Sequence, residues 1–266
     1  MMLARVVKNE NIYGAYYHLE LTAKGIGRKA RPGQFFMLKV GTGTDPLLRR
    51  PISLHRVVSP DSVVFLYKVV GQGTNLLKNL RPEEAIDVLG PLGNGFSVDK
   101  GVRTALLVAG GIGVAPLLGL AEHIRNTRKG VEVVAFIGGR GEEDLLAIHE
   151  FKELGVRMYL CTEDGSLARC GIVTDTIEEY IKRYAPGGTK NWTMYSCGPK
   201  AMLMGVAAIA KLHGIKNYAS LESNMACGVG ACMGCVVNIL DREHGSAVYK
   251  KVCDDGPVFD AEDVVW

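Results

Sequence analysis

Four cysteines in the last fifth of the chain constrain its structure more than any other feature of the sequence. They follow the pattern Cys227-x4-Cys232-x2-Cys235, and Cys253 comes after seventeen further residues. Plant-type [2Fe–2S] sites use the same C-x4-C-x2-C run with one distant fourth cysteine. Most of the intervening residues are glycine or alanine, which let the backbone approach closely and donate N–H groups to sulfur. The pattern therefore predicts one [2Fe–2S] cluster with these four cysteines as its ligands.

A zinc site or a set of free thiols would fit this cysteine spacing less well. A structural zinc site also accepts four thiolates, but its usual form pairs two C-x2-C units. Four cysteines without any ligand would be unusual at this density in a protein whose thiols stay reduced. Of the seven cysteines in the chain, Cys161 and Cys170 match no ligand spacing, and we expect both to be buried free thiols.

Composition excludes several classes of protein. The formal net charge of the 266 residues is only +3, and no run of basic residues carries interleaved aromatic residues, which argues against nucleic-acid binding. The most apolar window, residues 105–121, contains four glycines and a proline, so we expect no membrane span. The first residues lack the apolar core of a secretory signal, and we therefore expect a cytoplasmic protein.

The chain divides into three segments by pattern. Residues 1–100 contain short alternating or β-branched runs separated by turn residues, which predicts an antiparallel β-barrel. Residues 101–218 alternate apolar strands with amphipathic helices, which predicts a parallel sheet covered by helices. Residues 219–266 form a small glycine- and cysteine-rich module. The predicted barrel strands are residues 16–22, 35–40, 52–58, 63–70 and 85–89, and the strand–helix pairs that follow are 105–109 with 116–128, 131–137 with 142–153, 158–161 with 172–183, and 194–196 with 200–213.

Two motifs of the predicted barrel could contact one elongated phosphate ligand. Arg49-Arg50-Pro51-Ile52-Ser53 opens a strand and offers a guanidinium and a hydroxyl. Tyr67-Lys68-Val69-Val70-Gly71-Gln72-Gly73-Thr74 ends a strand in a glycine turn, with Thr74 predicted as the N-cap of a helix whose free N–H groups would bind phosphate. A solvated arginine and an ordinary capped turn are the alternatives.

A third motif follows the first strand of the α/β segment. Gly110-Gly111-Ile112-Gly113 lets the backbone approach a pyrophosphate at the start of a helix. Pro116 stands where the third glycine of the dinucleotide fingerprint would be, so the motif departs from the usual Rossmann pattern. Because proline suits the first turn of a helix, it still supports a helix start here. Another strand end, Cys197-Gly198-Pro199, leads into the last helix of this segment.

Together, these motifs resemble the ferredoxin–NADP reductase superfamily, whose barrel binds FAD and whose following α/β domain binds NAD(P). The resemblance implies that Arg50 neutralises the FAD diphosphate, that Ser53 bonds near flavin N5, and that Gly73 and Thr74 form a second phosphate-binding turn. It also implies that Cys197 borders the path of the hydride. The cofactor-binding residues implied in this way are Arg50, Pro51, Ile52, Ser53, Tyr67, Lys68, Val69, Gly73, Thr74, Gly110, Gly111, Gly113, Glu163, Cys197, Gly198 and Pro199.

The dinucleotide is expected to be NAD. The predicted strand at residues 158–161 leads into Thr162-Glu163-Asp164-Gly165-Ser166, where NADP-preferring relatives tend to place a serine and an arginine. Acidic residues would repel a 2′-phosphate and can accept hydrogen bonds from free ribose hydroxyls. Arg140 is a nearby cation that could instead favour NADP.

The order barrel, dinucleotide domain and cluster module resembles the electron-transfer subunits of the NAD-dependent dihydroorotate dehydrogenases of pyrimidine biosynthesis. The likeness is strongest at residues 220–227 and 249–259. It implies an FMN-containing catalytic partner in a heterotetramer of two plus two, with the cluster module as docking surface and Val229 and Met233 exposed on it.

The chain also resembles a rival group, the small subunits of NADH-dependent ferredoxin–NADP oxidoreductase and of sulfide dehydrogenase. Those have aspartate at the first cluster position, where this chain has Cys227.

The expected cofactors differ in how many electrons they exchange. Nicotinamide exchanges a hydride, which carries two electrons, whereas the cluster carries one, so FAD must lie between them. The six histidines are scattered and none belongs to a motif, so no catalytic acid or base is predicted in this chain. We therefore expect an oxidoreductase subunit whose organic substrate is oxidised on its partner.

Overall fold

The computed structural model describes residues 2–41, 43 and 45–266. Its residues group into two compact units, each assembled from three stretches of chain. The segments that carry the four cluster cysteines group with the barrel. The predicted division of the chain at residues 100 and 218 concerns functional segments and not compact units, and it stays a prediction. The first unit comprises Met1–Gly95, Glu222–Val237 and Tyr249–Pro257, and the second comprises Phe96–Leu221, Asn238–Val248 and Val258–Trp266.

The first unit contains the predicted antiparallel barrel, which is closed by six strands in the order β1-β2-β5-β4-β3-β6. Phe36, Phe65 and Leu19 pack in its interior with the other inward residues of the strands. The strand at residues 16–22 was predicted with its observed bounds because its apolar residues alternate. The strands are β1 Met2–Tyr13, β2 Tyr16–Thr22, β3 Phe35–Leu38, β4 Arg50–Ser59, β5 Ser62–Lys68 and β6 Ala85–Leu92.

Strand β1 was not predicted from the sequence. Only Ala4 and Val6 of its twelve residues are buried, and its second half is largely exposed. Its apolar pattern is therefore too short to indicate a strand, although β1 pairs with both β2 and β6 to close the barrel.

The helix after β5, α1 (Gln72–Leu77), begins earlier than predicted. Its N-cap is Gly71, and Thr74 is the third helical residue, so the prediction of Thr74 as N-cap was wrong. The Thr74 hydroxyl still serves the helix start, because it accepts hydrogen bonds from the N–H groups of Val70 (2.9 Å) and Gly71 (3.2 Å). It therefore occupies backbone donors that would otherwise be unpaired.

The second unit contains the predicted parallel sheet, with seven strands in the order β10-β9-β8-β7-β11-β12-β15. All neighbours are parallel except β15, which runs antiparallel to β12. The strands and helices of this unit are β7 Thr104–Gly110, α2 Val114–Thr127, β8 Glu132–Gly139, α3 Ile148–Glu153, β9 Arg157–Thr162, β10 Arg169–Cys170, α4 Val173–Tyr184, β11 Trp192–Cys197, α5 Lys200–Leu212, β12 Lys216–Ser220 and β15 Val258–Asp260. Two further strands, β13 Val236–Asp241 and β14 Ser246–Lys251, have residues in both units.

One helix of this unit is shorter than predicted. Residues 142–153 were expected to form a single helix, but α3 begins only at Ile148. Ala147 has a φ of 59°, a left-handed conformation that a continuous helix cannot contain. A short 3-10 turn at Glu142–Asp144 precedes it.

Strands β13 and β14 form a separate two-stranded sheet between the two cysteine-bearing segments. None of the helices in the described part of the chain is both long enough and apolar enough to cross a membrane.

Candidate iron–sulfur, flavin and nicotinamide sites

The loop with three of the predicted cluster ligands is shaped by glycines and aims backbone donors at sulfur. Gly228 and Gly230 have φ values of 72° and 75°, in the left-handed region that favours glycine. The N–H of Gly230 donates to Cys253 Sγ at 3.2 Å, and the N–H of Cys232 donates to Cys227 Sγ at 3.4 Å. These contacts join the distant Cys253 to the loop, as a four-cysteine cluster site requires.

The four thiols also interact with one another. Hydrogen bonds from the N–H groups of Val229 and Cys232 lower the pKa of the Cys227 thiol to about 6. Burial, together with the neighbouring Cys235 side chain, raises the pKa of the Cys253 thiol to about 12. Soft donors that influence one another in pairs, with backbone N–H groups directed at Cys227 and Cys253, fit an iron–sulfur cluster, whose sulfurs need such hydrogen bonds.

The second cysteine-bearing segment holds the loop in place. Lys251 Nζ donates to the carbonyl of Gly230 at 3.0 Å and pairs with Asp254 at 2.8 Å. The Lys251 N–H donates to Asp255 Oδ2 at 2.7 Å, which closes the turn that contains Cys253. The loop is thus fixed by side chains that come from more than twenty residues away in sequence.

Asn94, at the end of β6, connects the barrel to the same segment. Its side-chain amide donates to the carbonyls of Asp254 and Asp255 at 3.1 Å each, and its N–H donates to the carbonyl of Gly256 at 2.6 Å. No short-range pattern could indicate these contacts, because their partners lie about 160 residues further along the chain.

The two adjacent arginines of the flavin motif have different environments. Arg49 is held by Asp87, with contacts of 2.9 Å to the carbonyl and 2.5 Å to Oδ2. Arg50 instead lies against the glycine turn, since a Cβ built on Gly73 would be 2.1 Å from Arg50 Nε. The structure therefore brings Arg50, Gly73 and the helix start with Thr74 together, and a larger residue at position 73 would displace the guanidinium. This arrangement fits a diphosphate, which needs a cation beside free backbone N–H groups.

The remaining flavin candidates line the strands that lead to this turn. Pro51, Ile52 and Ser53 lie half-buried on β4, and Ile52 packs on the barrel core. Tyr67 is buried and stacks on Tyr17 with ring centroids 5.6 Å apart. Two further candidates flank it: Lys68, whose Nζ is 4.7 Å from the Tyr16 ring centroid, and Val69, which packs on the core.

Asn9 on β1 is a residue of this region that the sequence did not indicate. It accepts a hydrogen bond from the Tyr67 hydroxyl at 3.0 Å and donates to the carbonyls of Leu77 and Leu80, at 2.9 and 3.0 Å. It thus supports both Tyr67 and the end of α1, the helix whose start is the predicted phosphate site.

Replacing Arg50 with alanine should weaken FAD binding while the same change at Arg49 should not. Hydrogen bonds to charged groups contribute about 1.5–3 kcal/mol, so we expect the FAD dissociation constant to rise roughly 10- to 150-fold. Quenching of flavin fluorescence during titration of the apoprotein measures this constant. Arg49→Ala should instead lower the melting temperature, because Arg49 pairs with Asp87. Equal losses of FAD affinity in both variants would contradict the assignment of Arg50 to the FAD diphosphate.

The nicotinamide motifs at the ends of β7 and β11 pack directly on each other. A Cβ on Gly113 would lie 2.1 Å from the carbonyl oxygen of Cys197, and a Cβ on Gly110 would lie 2.7 Å from Pro199 Cδ. Gly111 has a φ of 51°, and Cys197 is 3% exposed. These glycines let the two strand-end turns approach closely at the carboxyl edge of the sheet, where ligands of α/β folds bind.

The acidic loop after β9 lies at the same edge of the sheet. Glu163 is exposed, and its N–H donates to the carbonyl of Gly139 at the end of β8. Hydrogen bonds from the Ser166 hydroxyl (2.6 Å) and N–H (2.9 Å) lower the pKa of Asp164, so this carboxyl stays charged.

The two cysteines outside the ligand spacing differ in burial. Cys161 is buried as expected, whereas Cys170 is exposed at the short edge strand β10, so the prediction of a buried Cys170 was wrong.

Family models match both the cysteine-rich segment and the dinucleotide segment of the chain. Residues 222–265 match the family model "Iron-sulfur cluster binding domain of dihydroorotate dehydrogenase B", and residues 107–208 match "Oxidoreductase NAD-binding domain". The dihydroorotate dehydrogenase B (NAD(+)) electron transfer subunit of Geobacillus sp. (strain WCH70) is 43% identical over 98% of this chain and 96% of its own length. The chain belongs to this family.

Other members of the family show similar likeness. The electron transfer subunit of Desulforamulus reducens is 37% identical over 94% of this chain and 92% of its own, and that of Bacillus cereus (strain Q1) is 41% identical over 98% and 96%. Membership in the dihydroorotate dehydrogenase B electron transfer subunits confirms the predicted cofactor set of FAD, a [2Fe–2S] cluster and NAD.

Solved structures outside this family share the fold. An NADH-dependent reduced ferredoxin–NADP oxidoreductase structure, described for flavin-based electron bifurcation, aligns with a TM-score of 0.85 and 28% identity over 100% of this chain and 91% of its own. The Amycolatopsis cytochrome P450 reductase GcoB aligns with a TM-score of 0.65 and 27% identity over 78% and 65%. A ferredoxin–NADP+ reductase from Plasmodium falciparum aligns with a TM-score of 0.66 and 17% identity over 79% and 90%, which shows that it shares the fold.

Proposed function

We propose that this electron-transfer subunit passes electrons from the FMN-containing catalytic subunit of dihydroorotate dehydrogenase to NAD⁺, in pyrimidine biosynthesis. The partner oxidises dihydroorotate, and the electrons travel through the [2Fe–2S] cluster and FAD of this chain. When bound, FAD exchanges one electron at a time with the cluster and a hydride with nicotinamide.

One observation carries this proposal: the cluster loop and the flavin-motif strand lie in the same compact unit. Cys227–Cys235 and Cys253 group with strands β3 and β4 of the barrel. A cluster and a flavin that must exchange single electrons need to be held at a fixed short separation. A zinc site with a purely structural role would need no such neighbour.

The residues of the chain bind and orient the cofactors in this proposal. Cys227, Cys232, Cys235 and Cys253 hold the cluster. Arg50 and the start of α1 bind the FAD diphosphate, and Ser53 orients the flavin ring. In the second unit, the glycines at 110, 111 and 113 admit the NAD pyrophosphate, while the strand-end turn at 197–199 borders the nicotinamide.

The same proposal assigns NAD rather than NADP to the chain. Glu163 and the charged Asp164 stand at the carboxyl edge of the sheet, where they would repel a 2′-phosphate. The Ser166 hydroxyl already donates to Asp164 and accepts from the N–H of Glu142, so it offers no ready bond to a phosphate. Arg140 is the nearby cation that could instead favour NADP.

We also propose that the cluster segment docks on the catalytic subunit, in a cytoplasmic heterotetramer of two plus two. Val229 and Met233 are 49% and 61% exposed, as predicted, and flank the cluster ligands. Tyr249, in the second cysteine-bearing segment, is 68% exposed. Exposed large apolar side chains beside a redox centre suit an interface that must bring two cofactors close.

Val229→Asp should prevent stable assembly with the catalytic subunit. A buried unpaired carboxylate costs several kcal/mol, so we expect affinity to fall by about 100-fold or more. Co-expression followed by size-exclusion chromatography measures the assembly. Leu212→Asp, at a leucine that is 74% exposed at the end of α5, is the matched control and should assemble normally. If the Val229 variant assembles as the wild type does, the proposal that the cluster segment docks on the catalytic subunit is wrong.

The proposed function is tested by anaerobic purification and titration. Iron, acid-labile sulfide and flavin should be present in a ratio of two to two to one per chain, and NADH should bleach the flavin absorbance and produce a reduced-cluster EPR signal. With the catalytic subunit added, dihydroorotate should produce the same changes. Colourless protein that contains zinc would contradict the proposal.

A second candidate is the small subunit of an NADH-dependent ferredoxin–NADP oxidoreductase or a sulfide dehydrogenase. The alignment over 100% of the chain with a TM-score of 0.85 favours it. The intact Cys227 and the higher identity to the dihydroorotate dehydrogenase subunits favour the first candidate. Reduction by dihydroorotate, rather than by ferredoxin or sulfide, separates the two.

A further inference from the structure

One buried methionine of the barrel lies on the side of the sheet that faces away from the core. All four residues of β3, Phe35–Leu38, are buried. Phe36 and Leu38 belong to the barrel core. Because side chains alternate along a strand, Phe35 and Met37 point to the outer face. Met37 is nevertheless 0% exposed, so another part of the first unit must cover it.

The cluster loop covers Met37. A Cβ built on Gly228, the residue after the ligand Cys227, would lie 2.6 Å from Met37 Cγ and 2.9 Å from its Sδ. Both distances are well below van der Waals contact between carbon or sulfur atoms. The backbone at Gly228 therefore rests directly on the thioether side chain, and only a glycine leaves the space for it.

The flavin-motif strand lies beside Met37 on the same face. In the β3–β4 pair, Met37 is opposite Pro51 and Phe35 is opposite Ser53. Directly opposed residues of antiparallel strands project to the same side, with Cβ atoms about 4.5–5.5 Å apart. Met37 is thus in contact with the loop that carries Cys227 and adjacent to the strand that carries the R-P-x-S motif.

We propose that Met37 is a positioning residue that sets the spacing between the cluster loop and the flavin-motif strand. Through this spacing it controls the passage of single electrons between the bound cluster and the bound FAD. The inference rests on the proposed function. A methionine suits this place because its flexible, polarizable side chain fills an irregular gap between two backbones.

Met37→Ala should slow the step between flavin and cluster. Anaerobic mixing of the holoprotein with one equivalent of NADH supplies two electrons, of which one can pass to the oxidised cluster. We expect this passage to slow about tenfold or more, because a displacement on the order of 1 Å between reacting groups can cost up to about 100-fold. Flavin reduction by NADH should keep its rate. Stopped-flow absorbance measures the first step, and freeze-quenched EPR measures cluster reduction.

Three variants separate positioning from general stability. Met37→Leu conserves volume and should restore the wild-type rate. Leu38→Val, on the core side of the same strand, should lower the melting temperature without changing the rate. Gly228→Ala should push the loop away from Met37 and shift the midpoint potential of the cluster, and combining it with Met37→Ala should recover part of that shift. If Met37→Ala does not retain iron, Gly228→Ala decides the question alone, and an unchanged midpoint potential in that variant would overturn the inference.

The outcomes distinguish this inference from the proposed function. Wild-type protein whose cluster is never reduced by NADH would defeat the proposed function itself. Met37→Ala with full iron and FAD that reduces its cluster at the wild-type rate would overturn only the inference. The same holds if the effects of Gly228→Ala and Met37→Ala on the potential simply add.

Discussion

Cys232→Ala should leave a protein that binds FAD and is reduced by NADH but that contains no cluster. Cys232 is joined to Cys227 through its own N–H, and no other thiol of the described chain is placed to substitute for it in the loop. Loss of even an outer-shell partner costs about 10- to 100-fold in metal affinity, so loss of a ligand should lower electron flow between dihydroorotate and NAD⁺ by more than about 100-fold.

Cys170→Ala is the matched control for this variant. Cys170 is an exposed thiol on β10, in the other unit, and it lies outside the cluster pattern. Its replacement should leave iron, sulfide and the dihydroorotate reaction at wild-type levels. Iron and sulfide analysis and the cluster EPR signal measure both variants. A Cys232 variant that keeps its full iron content would show that the four-cysteine assignment is incorrect.

Gly113→Ala should have the second-largest effect, on the nicotinamide site. The added methyl would lie 2.1 Å from the carbonyl oxygen and 2.4 Å from the carbonyl carbon of Cys197. Both atoms belong to the backbone, so no side-chain rotation can relieve the contact. Overpacking of this kind costs about 1–3 kcal/mol and must separate the β7 turn from the β11 turn. We expect the NADH dissociation constant to rise by about tenfold or more.

Gly101→Ala is the control at a glycine without such a neighbour, because a Cβ there would meet nothing within 4 Å. This variant should bind NADH like the wild type, and both variants should keep FAD and the cluster. Stopped-flow reduction of the flavin at several NADH concentrations gives the affinity. Normal affinity in the Gly113 variant would mean that the close contact of the two turns is not part of the dinucleotide site.

The sequence predicted those parts of the fold whose pattern is local. The alternation in Tyr16–Thr22 and the apolar runs of β7 and β8 were sufficient for the barrel and the parallel sheet. Strand β1 was not predicted, because most of its residues are exposed to solvent and give no apolar alternation. The start of α3 depends on the single left-handed residue Ala147, and alanine carries no signal for that conformation.

Contacts between distant segments could not be predicted in the same way. The cysteine spacing indicates a ligand set, and the R-P-x-S motif indicates a flavin strand, but neither shows that Gly228 rests on Met37. The clearest available signal was the run Phe35–Leu38, where four consecutive apolar residues indicate a strand buried on both faces. Asn94 and Asn9 gave no signal at all, because their partners are set by the tertiary structure alone.

The way the cysteine-bearing segments return to the barrel has a consequence for biosynthesis. Glu222–Val237 and Tyr249–Pro257 complete a unit whose other residues all precede Phe96. On the ribosome, the barrel strands emerge well before the segment that covers Met37, so the nascent chain carries an uncovered apolar patch while the intervening domain is made. Maturation of the first unit, and insertion of its iron and sulfide, therefore has to wait until residues 222–257 have been translated.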